Sequence, residues 1–391
     1  MTTLQQFIDQ SITGAVSEPV KLSEPVPVEQ LPTPALIIDL DLFDQNLAKM
    51  QHFLNKRNLG LRCHTKMHKC PIIARKQIAA GAIGVCTATV SEAEIMQVNG
   101  ITNILITSTV VTKEKISRVI RLAARNPMLQ MVVDNIEIAS RFNEAASDSG
   151  IELGVLVDID PGMGRTGIEA GAPALSLAKH LVGKCQNLRF DGLQMYAGDC
   201  MHLEGFENRR KKYTQVMENG AATKRLLEAS GIEVQIFSGG GTGTFDIEPG
   251  IGLATDLQAG SYVFMDIEYR EIGGEGSDRF NTFEPSLFVL VTAISKPQQR
   301  LITVDAGFKS FASDKMVPEF RDVEGVIYHW GGDEHGIIQL TNPSREISLG
   351  DKLPMLTPHC DPTVNLYDYY YPVRDGKVEE LWPIAARGRS Q

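Results

Sequence analysis

No Cys-x-x-Cys pair occurs among the six cysteines, Cys63, Cys70, Cys86, Cys185, Cys200 and Cys360. Scattered through 391 residues, they predict separate reduced thiols and no disulfide framework. Long apolar runs are missing too. The longest notable one, Leu287 to Ile294, is far too short to span a bilayer. The stretch Met1 to Gln10 has neither a basic region nor a long apolar core, so no secretory signal is expected. Positive charge is scarce. With 38 Lys and Arg against 48 Asp and Glu, the formal charge of -10 argues against nucleic acid as a partner. No early Gly-x-Gly-x-x-Gly turn appears, which disfavours an open dinucleotide-binding sheet. Internal repeats and low-complexity segments are also absent. A cytoplasmic enzyme with a small-molecule substrate, and with no membrane or nucleic-acid partner, is the expectation.

The content that remains is ordinary for a globular chain, with 43% hydrophobic and 22% charged residues. Its length predicts a large core and two domains. Residues 1–30 carry Pro19, Pro25 and Pro27 and read as an arm. Ala35 to Ile38 reads as a strand, followed by a helix with Phe43, Leu47, Met50 and Leu54 on one face and Asp41 as its N-cap. Strand-like runs then recur at Leu61–His64, Val85–Ala88, Ile104–Thr107, Gln130–Asp134, Val155–Ile159, Leu193–Tyr196, Val234–Ser238 and Leu257–Tyr262. Helical stretches such as Pro71–Ala80, Lys113–Arg125, Ile136–Ala146 and Phe206–Ser230 lie between them. This alternation predicts an α/β fold, a (β/α)8 barrel over 31–275. After residue 275 short strands and turn signals take over, including a hairpin turn at Asp375-Gly376, so 276–391 reads as an all-β domain that the strand near 35–40 can join.

The residues that can carry chemistry fall at the ends of the expected barrel strands, where such barrels place their active sites. Lys66, in His64-Thr65-Lys66-Met67-His68-Lys69, follows the first strand. A lysine there suits a Schiff base to an aldehyde cofactor, although a surface lysine in a basic loop is the ordinary alternative. The loop Ser238-Gly239-Gly240-Gly241-Thr242-Gly243-Thr244 follows strand seven, and Gly260-Ser261-Tyr262 follows strand eight. Consecutive glycines let backbone N–H groups converge on one anion, so Ser238, Gly240, Gly241, Thr242, Gly260, Ser261 and Tyr262 form a candidate phosphate cup; otherwise the first loop is a flexible turn. Arg165, in a glycine-rich loop after strand five, can bond a cofactor oxygen or pair with a carboxylate. Tyr196, after strand six, packs either on a cofactor ring or in the core. His202, a little farther on, is either incidental or an acid–base group near neutral pH. In the β domain His359 and Asp361 supply a nitrogen and an oxygen ligand for a divalent metal, with positions left open for water and substrate. Asp333-Glu334-His335-Gly336 either lines the site or forms a solvated turn.

Taken together, the Lys66 motif, Val90-Ser91-Glu92-Ala93, Gly162-Met163-Gly164-Arg165, the glycine-rich loop, Leu257 to Tyr262, Asp305-Ala306-Gly307, Asp333 to Gly336 and Pro358-His359-Cys360-Asp361-Pro362-Thr363 resemble the D-threonine aldolase family. That family includes 3-hydroxy-D-aspartate aldolases and is related to D-serine dehydratases. The resemblance runs from about residue 31 to 388. It implies an alanine racemase-like, fold type III barrel plus a β domain, pyridoxal 5'-phosphate on Lys66, and a metal at His359 and Asp361. Manganese is expected there, with magnesium, cobalt or zinc as alternatives, in a homodimer. The implied reaction is retro-aldol cleavage of a D-β-hydroxy-α-amino acid to glycine and an aldehyde, with His202 or metal-bound water as base. Dehydratases of the group typically carry cysteine where this chain has Asp361, which points to the aldolases. The alternatives are a dehydratase of D-serine or a 3-hydroxy-D-amino acid and, from another class, a pyridoxal phosphate-binding protein without catalysis.

Overall fold

The computed structural model describes residues 17–312 and 316–391. The first described strands are β1 (Val20–Pro27) and β2 (Ala35–Asp39). Next come short apolar strands whose side chains are buried on both faces, the pattern a parallel sheet under helices demands. They are β3 (Gly60–His64), β4 (Gly84–Thr87), β5 (Ile104–Ile106), β6 (Gln130–Val133), β7 (Leu153–Asp158), β8 (Leu188–Met195), β9 (Ile236–Gly239) and β10 (Asp256–Leu257). All pair in parallel, and β10 closes the barrel by pairing with both β9 and β3. The eighth strand is only two residues long. The chain then turns into a 3-10 turn at Ser261–Val263, so the expected strand to Tyr262 ends early.

Side-chain caps start most of the covering helices. Asp39 caps α1 (Leu40–Asn55) by accepting from the Leu42 amide. The cap lies two residues before the expected Asp41, because Asp39 is the last extended residue and Asp41 already lies in the first turn. After α2 (Pro71–Ala79), Thr89 caps α3 (Val90–Val98), Thr112 caps α4 (Lys113–Arg125) and Asn135 caps α5 (Ile136–Asp148). The last long helices are α6 (Ala172–Lys184) and α7 (Phe206–Ala229). Among the described residues no helix is long and apolar enough to cross a membrane.

The remaining strands build a separate sheet. They are β11 (Leu287–Gln298), β12 (Leu301–Val304), β13 (Glu319–Phe320), β14 (Val326–Trp330), β15 (Gly336–Leu340), β16 (Lys352–Leu356), β17 (Tyr369–Arg374) and β18 (Lys377–Pro383). Together with β1 and β2 they make a ten-stranded sheet, in which β2 lies between β11 and β17. Asp375 and Gly376 turn β17 into β18 with φ of 50° and 70°, the left-handed pair a two-residue hairpin requires. Part of the expected N-terminal arm is a strand: β1 pairs with β18 at the sheet edge, where Pro25 and Pro27 remove no interior ladder bond. Residues 1–16 of that arm lie outside the described residues.

The segment after β16 carries the proposed ligand pair back toward the barrel. Ile267 N–H donates to Thr357 O and Glu268 N–H to Pro358 O, each at 3.2 Å. Buried Tyr370 of β17 donates to His68 O at 2.7 Å, and so braces the loop that holds Lys66.

Candidate active site

Lys66 sits in a 3-10 turn, Thr65–Met67, just past the end of β3. Both flanks are tied down. Thr65 donates to Cys86 O at 3.1 Å, and Lys69 pairs with Glu92, whose other oxygen accepts from the Ala88 amide at 2.8 Å. Lys66 itself is open to a cavity of about 240 Å³ lined by His64, Asp158, Arg165, Gln194 and Tyr196. Burial, with the Lys66 charge second, pushes the His64 imidazole down to about 3, so it is neutral in the working range. Burial pushes the Asp158 carboxyl up to about 6, even though Gln194 and Thr166 both donate to it.

The glycine-rich loop follows β9, two strands from the β3 end that carries Lys66. Gly240 has φ +63°, a conformation that costs glycine little. A Cβ at Gly241 would stand 2.8 Å from Met201 Sδ, and one at Gly260 would stand 2.9 Å from His64 O. At both positions a side chain would collide with its neighbours, so only glycine lets the backbone pass this close. The Tyr262 amide donates to Thr242 Oγ1 at 3.0 Å and joins the two loops. Two of the expected cup residues turn their side chains elsewhere. The Ser238 hydroxyl donates to Asp256 at 2.6 Å, and the Tyr262 hydroxyl accepts from Gln77 at 3.1 Å. Neither side chain is turned to the expected cup, and the Tyr262 amide is already given to Thr242. Arg165 is exposed at the cavity mouth, its guanidinium 5.7 Å above the Tyr196 ring. Asp160 shapes that loop by accepting from the amides of Gly162, Met163 and Gly164. An open cavity with a lysine and a cationic mouth, beside barrel-strand ends rich in glycine, fits pyridoxal phosphate.

The β domain delivers its pair to the same mouth. Asp361 Oδ1 lies 3.3 Å from Lys66 Nζ, and Asp361 Oδ2 lies 3.9 Å from His359 Nε2. The centroids of the His202 and His359 rings are 6.4 Å apart. Lys66, His202, His359 and Asp361, distant in sequence, thus converge. A hard oxygen and an imidazole facing one space fit a divalent cation with waters in its other positions. Among the described residues no group of three or more His, Cys, Asp and Glu side chains is arranged to hold a metal. Cys360 points away into the core, its thiol donating to Met265 O at 3.2 Å. The Asp333 to Gly336 cluster forms the turn from β14 to β15, with Glu334 exposed and paired to Lys309 at 2.6 Å.

Three residues were not read from the sequence. Glu268 Oε2 lies 3.5 Å from His359 Nδ1 and 3.8 Å from His202 Nε2. Asp266, fully buried, accepts from the Cys360 amide at 2.9 Å. Arg209 of α7, also fully buried, donates to the carbonyls of Gly243, Leu203, Ile272 and Gly273 at 2.7–3.0 Å. It holds the glycine-rich loop, the His202 loop and the segment after Glu268 in one place. The helical spacing of buried Arg209, Tyr213, Met217 and Gly220 was a usable signal. Glu268 had none.

A family model described as the alanine racemase N-terminal domain matches residues 38–267, and one described as a putative serine dehydratase domain matches 286–373. The chain is 37% identical over 384 residues to a D-threonine aldolase of Arthrobacter sp, covering 98% of this chain and 100% of that one. It is 36% identical to a 3-hydroxy-D-aspartate aldolase of Paracoccus denitrificans (strain Pd 1222), covering 92% of this chain and 93% of that one. The chain belongs to the D-threonine aldolase and 3-hydroxy-D-aspartate aldolase family. The crystal structure of a D-threonine aldolase from Filomicrobium marinum superposes with a TM-score of 0.91 at 37% identity, covering 95% of this chain and 100% of that one. The family's aldolases are lyases, and the expected alanine racemase-like barrel with its β domain is the fold found here.

Proposed function

We propose that this chain is an aldehyde-lyase that cleaves D-β-hydroxy-α-amino acids, such as D-threonine or 3-hydroxy-D-aspartate, to glycine and an aldehyde. The observation that carries the reading is the convergence of Lys66, His202, His359 and Asp361 at one end of the barrel, supported by the aldolase relatives. Lys66 Nζ would hold pyridoxal phosphate; backbone N–H groups of Gly240, Gly241 and Gly260, with the hydroxyls of Thr242 and Ser261, would hold its phosphate, and Arg165 and Tyr196 would bind beside it. His359 and Asp361 would hold the divalent cation. When bound, these groups supply an electron sink at Cα and Lewis acidity toward the β-hydroxyl. The His202 imidazole takes the proton from the substrate's β-hydroxyl oxygen. The Cα–Cβ bond then breaks with its electron pair left at Cα. One proton added at Cα from water, balanced by the one His202 gives back to water, completes glycine, and the oxygen that lost its proton becomes the aldehyde carbonyl.

Asp361 favours cleavage over dehydration. A carboxylate oxygen suits manganese, whereas a cysteine at that position suits zinc. Manganese, a homodimer and a cytoplasmic location are part of the same proposal, and six free buried thiols suit a reducing compartment. Incubation with D-threonine and L-threonine, with assays for glycine, acetaldehyde, keto acid and ammonia, tests the reading. Glycine and acetaldehyde from the D-enantiomer alone are expected. Keto acid and ammonia as main products would make the chain a dehydratase. Equal cleavage of both enantiomers would contradict a single fixed cofactor face. No turnover of any D-β-hydroxy amino acid would leave a cofactor-binding protein.

A further inference from the structure

The ligand pair and the proposed base come from different domains, so something must register one against the other. The short helix Ile267–Arg270, which follows the last barrel strand, sits between them. Its backbone is keyed to the β-domain segment. Ile267 and Glu268 N–H donate to Thr357 and Pro358, and the Asp266 carboxylate takes the Cys360 amide at 2.9 Å. Its side chains reach the other way. The Tyr269 ring packs on the His202 ring with centroids 4.4 Å apart. Glu268, only 6% exposed, stands between both imidazoles, with one carboxylate oxygen 3.5 Å from His359 Nδ1 and 3.8 Å from His202 Nε2.

The two nitrogens of His359 therefore face different partners. Nδ1 is turned to Glu268, while Nε2 is turned to Asp361. A metal-ligating imidazole commonly donates its non-ligating N–H to a carboxylate, which fixes the tautomer and raises the basicity of the other nitrogen. We propose that Glu268 is the positioning carboxylate of this site: it holds His359 in the Nδ1–H tautomer with Nε2 aimed beside Asp361, and it orients His202 through the same oxygen. The inference rests on the metal reading above but concerns a residue outside the ligand set. Glu268 does not itself bind the cation, because His359 lies between its carboxylate and the space beside Asp361.

The test uses the cofactor-loaded protein and Mn²⁺ alone. Free Mn²⁺, measured by electron paramagnetic resonance, gives its dissociation constant for wild type, D361A, E268Q and H202A. E268Q should bind Mn²⁺ about 10- to 100-fold more weakly, with the visible absorbance of the bound cofactor unchanged. H202A should bind Mn²⁺ as wild type does. At saturating Mn²⁺, E268Q should still show a lower kcat with little change in KM, because His202 has lost its anchor. An E268Q constant within about threefold of wild type, less than the smallest change expected of an outer partner, overturns the inference while the metal site stands. Wild type and D361A binding Mn²⁺ equally overturns the metal reading and the inference together. A second measurement needs no variant. In histidine-labelled wild type loaded with Mg²⁺, nitrogen–proton correlation spectra should place the His359 proton on Nδ1, and a proton on Nε2 overturns the assignment.

Discussion

Lys66 Nζ lies 3.3 Å from Asp361 Oδ1, an ion pair that joins the end of the first barrel strand to the β domain. Each group steadies the charge of the other. The Asp361 carboxylate, ahead of every other influence, raises the affinity of Lys66 for its proton. Burial would raise the Asp361 carboxyl, but the charges of Lys66 and His359 outweigh it and hold that carboxyl below the usual range. The pair places the proposed cofactor anchor beside the proposed metal ligand, which is where a substrate carrying both an α-amino and a β-hydroxyl group would have to sit.

Lys66→Ala should abolish the visible absorbance of the bound cofactor and nearly all turnover. The side chain ends in the cavity, and among the described residues no other lysine lines it. Retained absorbance with retained activity would remove Lys66 from its role.

Chelation should stop turnover and leave the cofactor bound, because the glycine cup belongs to the barrel and both proposed ligands belong to the β-domain segment. Added Mn²⁺ should restore activity. Asp361→Cys should shift metal preference toward zinc and weaken aldolase turnover. A metal-free protein at full activity would remove the metal from the mechanism.

Asp158 should leave a mark on stability. Its carboxyl is pushed from an ordinary 3.8 to about 6 by burial, so the fold favours the neutral form. The stabilisation is fully present below the unfolded value and is lost as pH rises through about 6. Between those values the native state binds more protons than the unfolded one, and stability falls with pH. The two-unit shift corresponds to about 3 kcal/mol at most. Asp158→Asn should remove this dependence, so the unfolding free energy of the variant relative to wild type should rise between about pH 4 and pH 8. A difference that stays flat across that range would contradict the buried carboxyl.

Arg209→Leu should destabilise the protein by about 3–5 kcal/mol, because it strands four carbonyls that now share one buried guanidinium. Arg209→Lys should recover only part of that loss, since an ammonium lacks the planar fork. Pyridoxal phosphate should also bind both variants more weakly, whereas phosphate-free pyridoxal should not, because Gly243 belongs to the loop proposed to hold the phosphate. Equal weakening for the two cofactor forms would separate Arg209 from that loop.

Much of this architecture was legible locally. A parallel strand buried on both faces must be a short apolar run, so Val85, Ile104 and Val155 announced barrel strands. A residue just after such a run stands at the barrel mouth, which is why Lys66 and Tyr196, and Arg165 in the loop that follows β7, could be chosen from position. The edge strand Val20–Pro27 was not legible, because its prolines read as loop until β18 pairs beside them. Ser238 and Tyr262 fall at the right strand ends, yet their side chains answer to Asp256 and Gln77, partners that only packing supplies.

The sequence by itself determined the strand–helix alternation, the chemical kinds of group at the strand ends and the nitrogen–oxygen pair at His359 and Asp361. These follow from periodicity and composition within a few residues. Tertiary structure alone decided that Asp361 meets Lys66, that Glu268 stands between two histidines, and that Arg209, within the run Arg209-Arg210-Lys211-Lys212, is buried as a strut beneath three loops. The physical reason is range. Backbone patterning acts over one turn or one strand, whereas a carboxylate or a guanidinium takes its role from partners that closure of the barrel and docking of the β domain bring within about 4 Å.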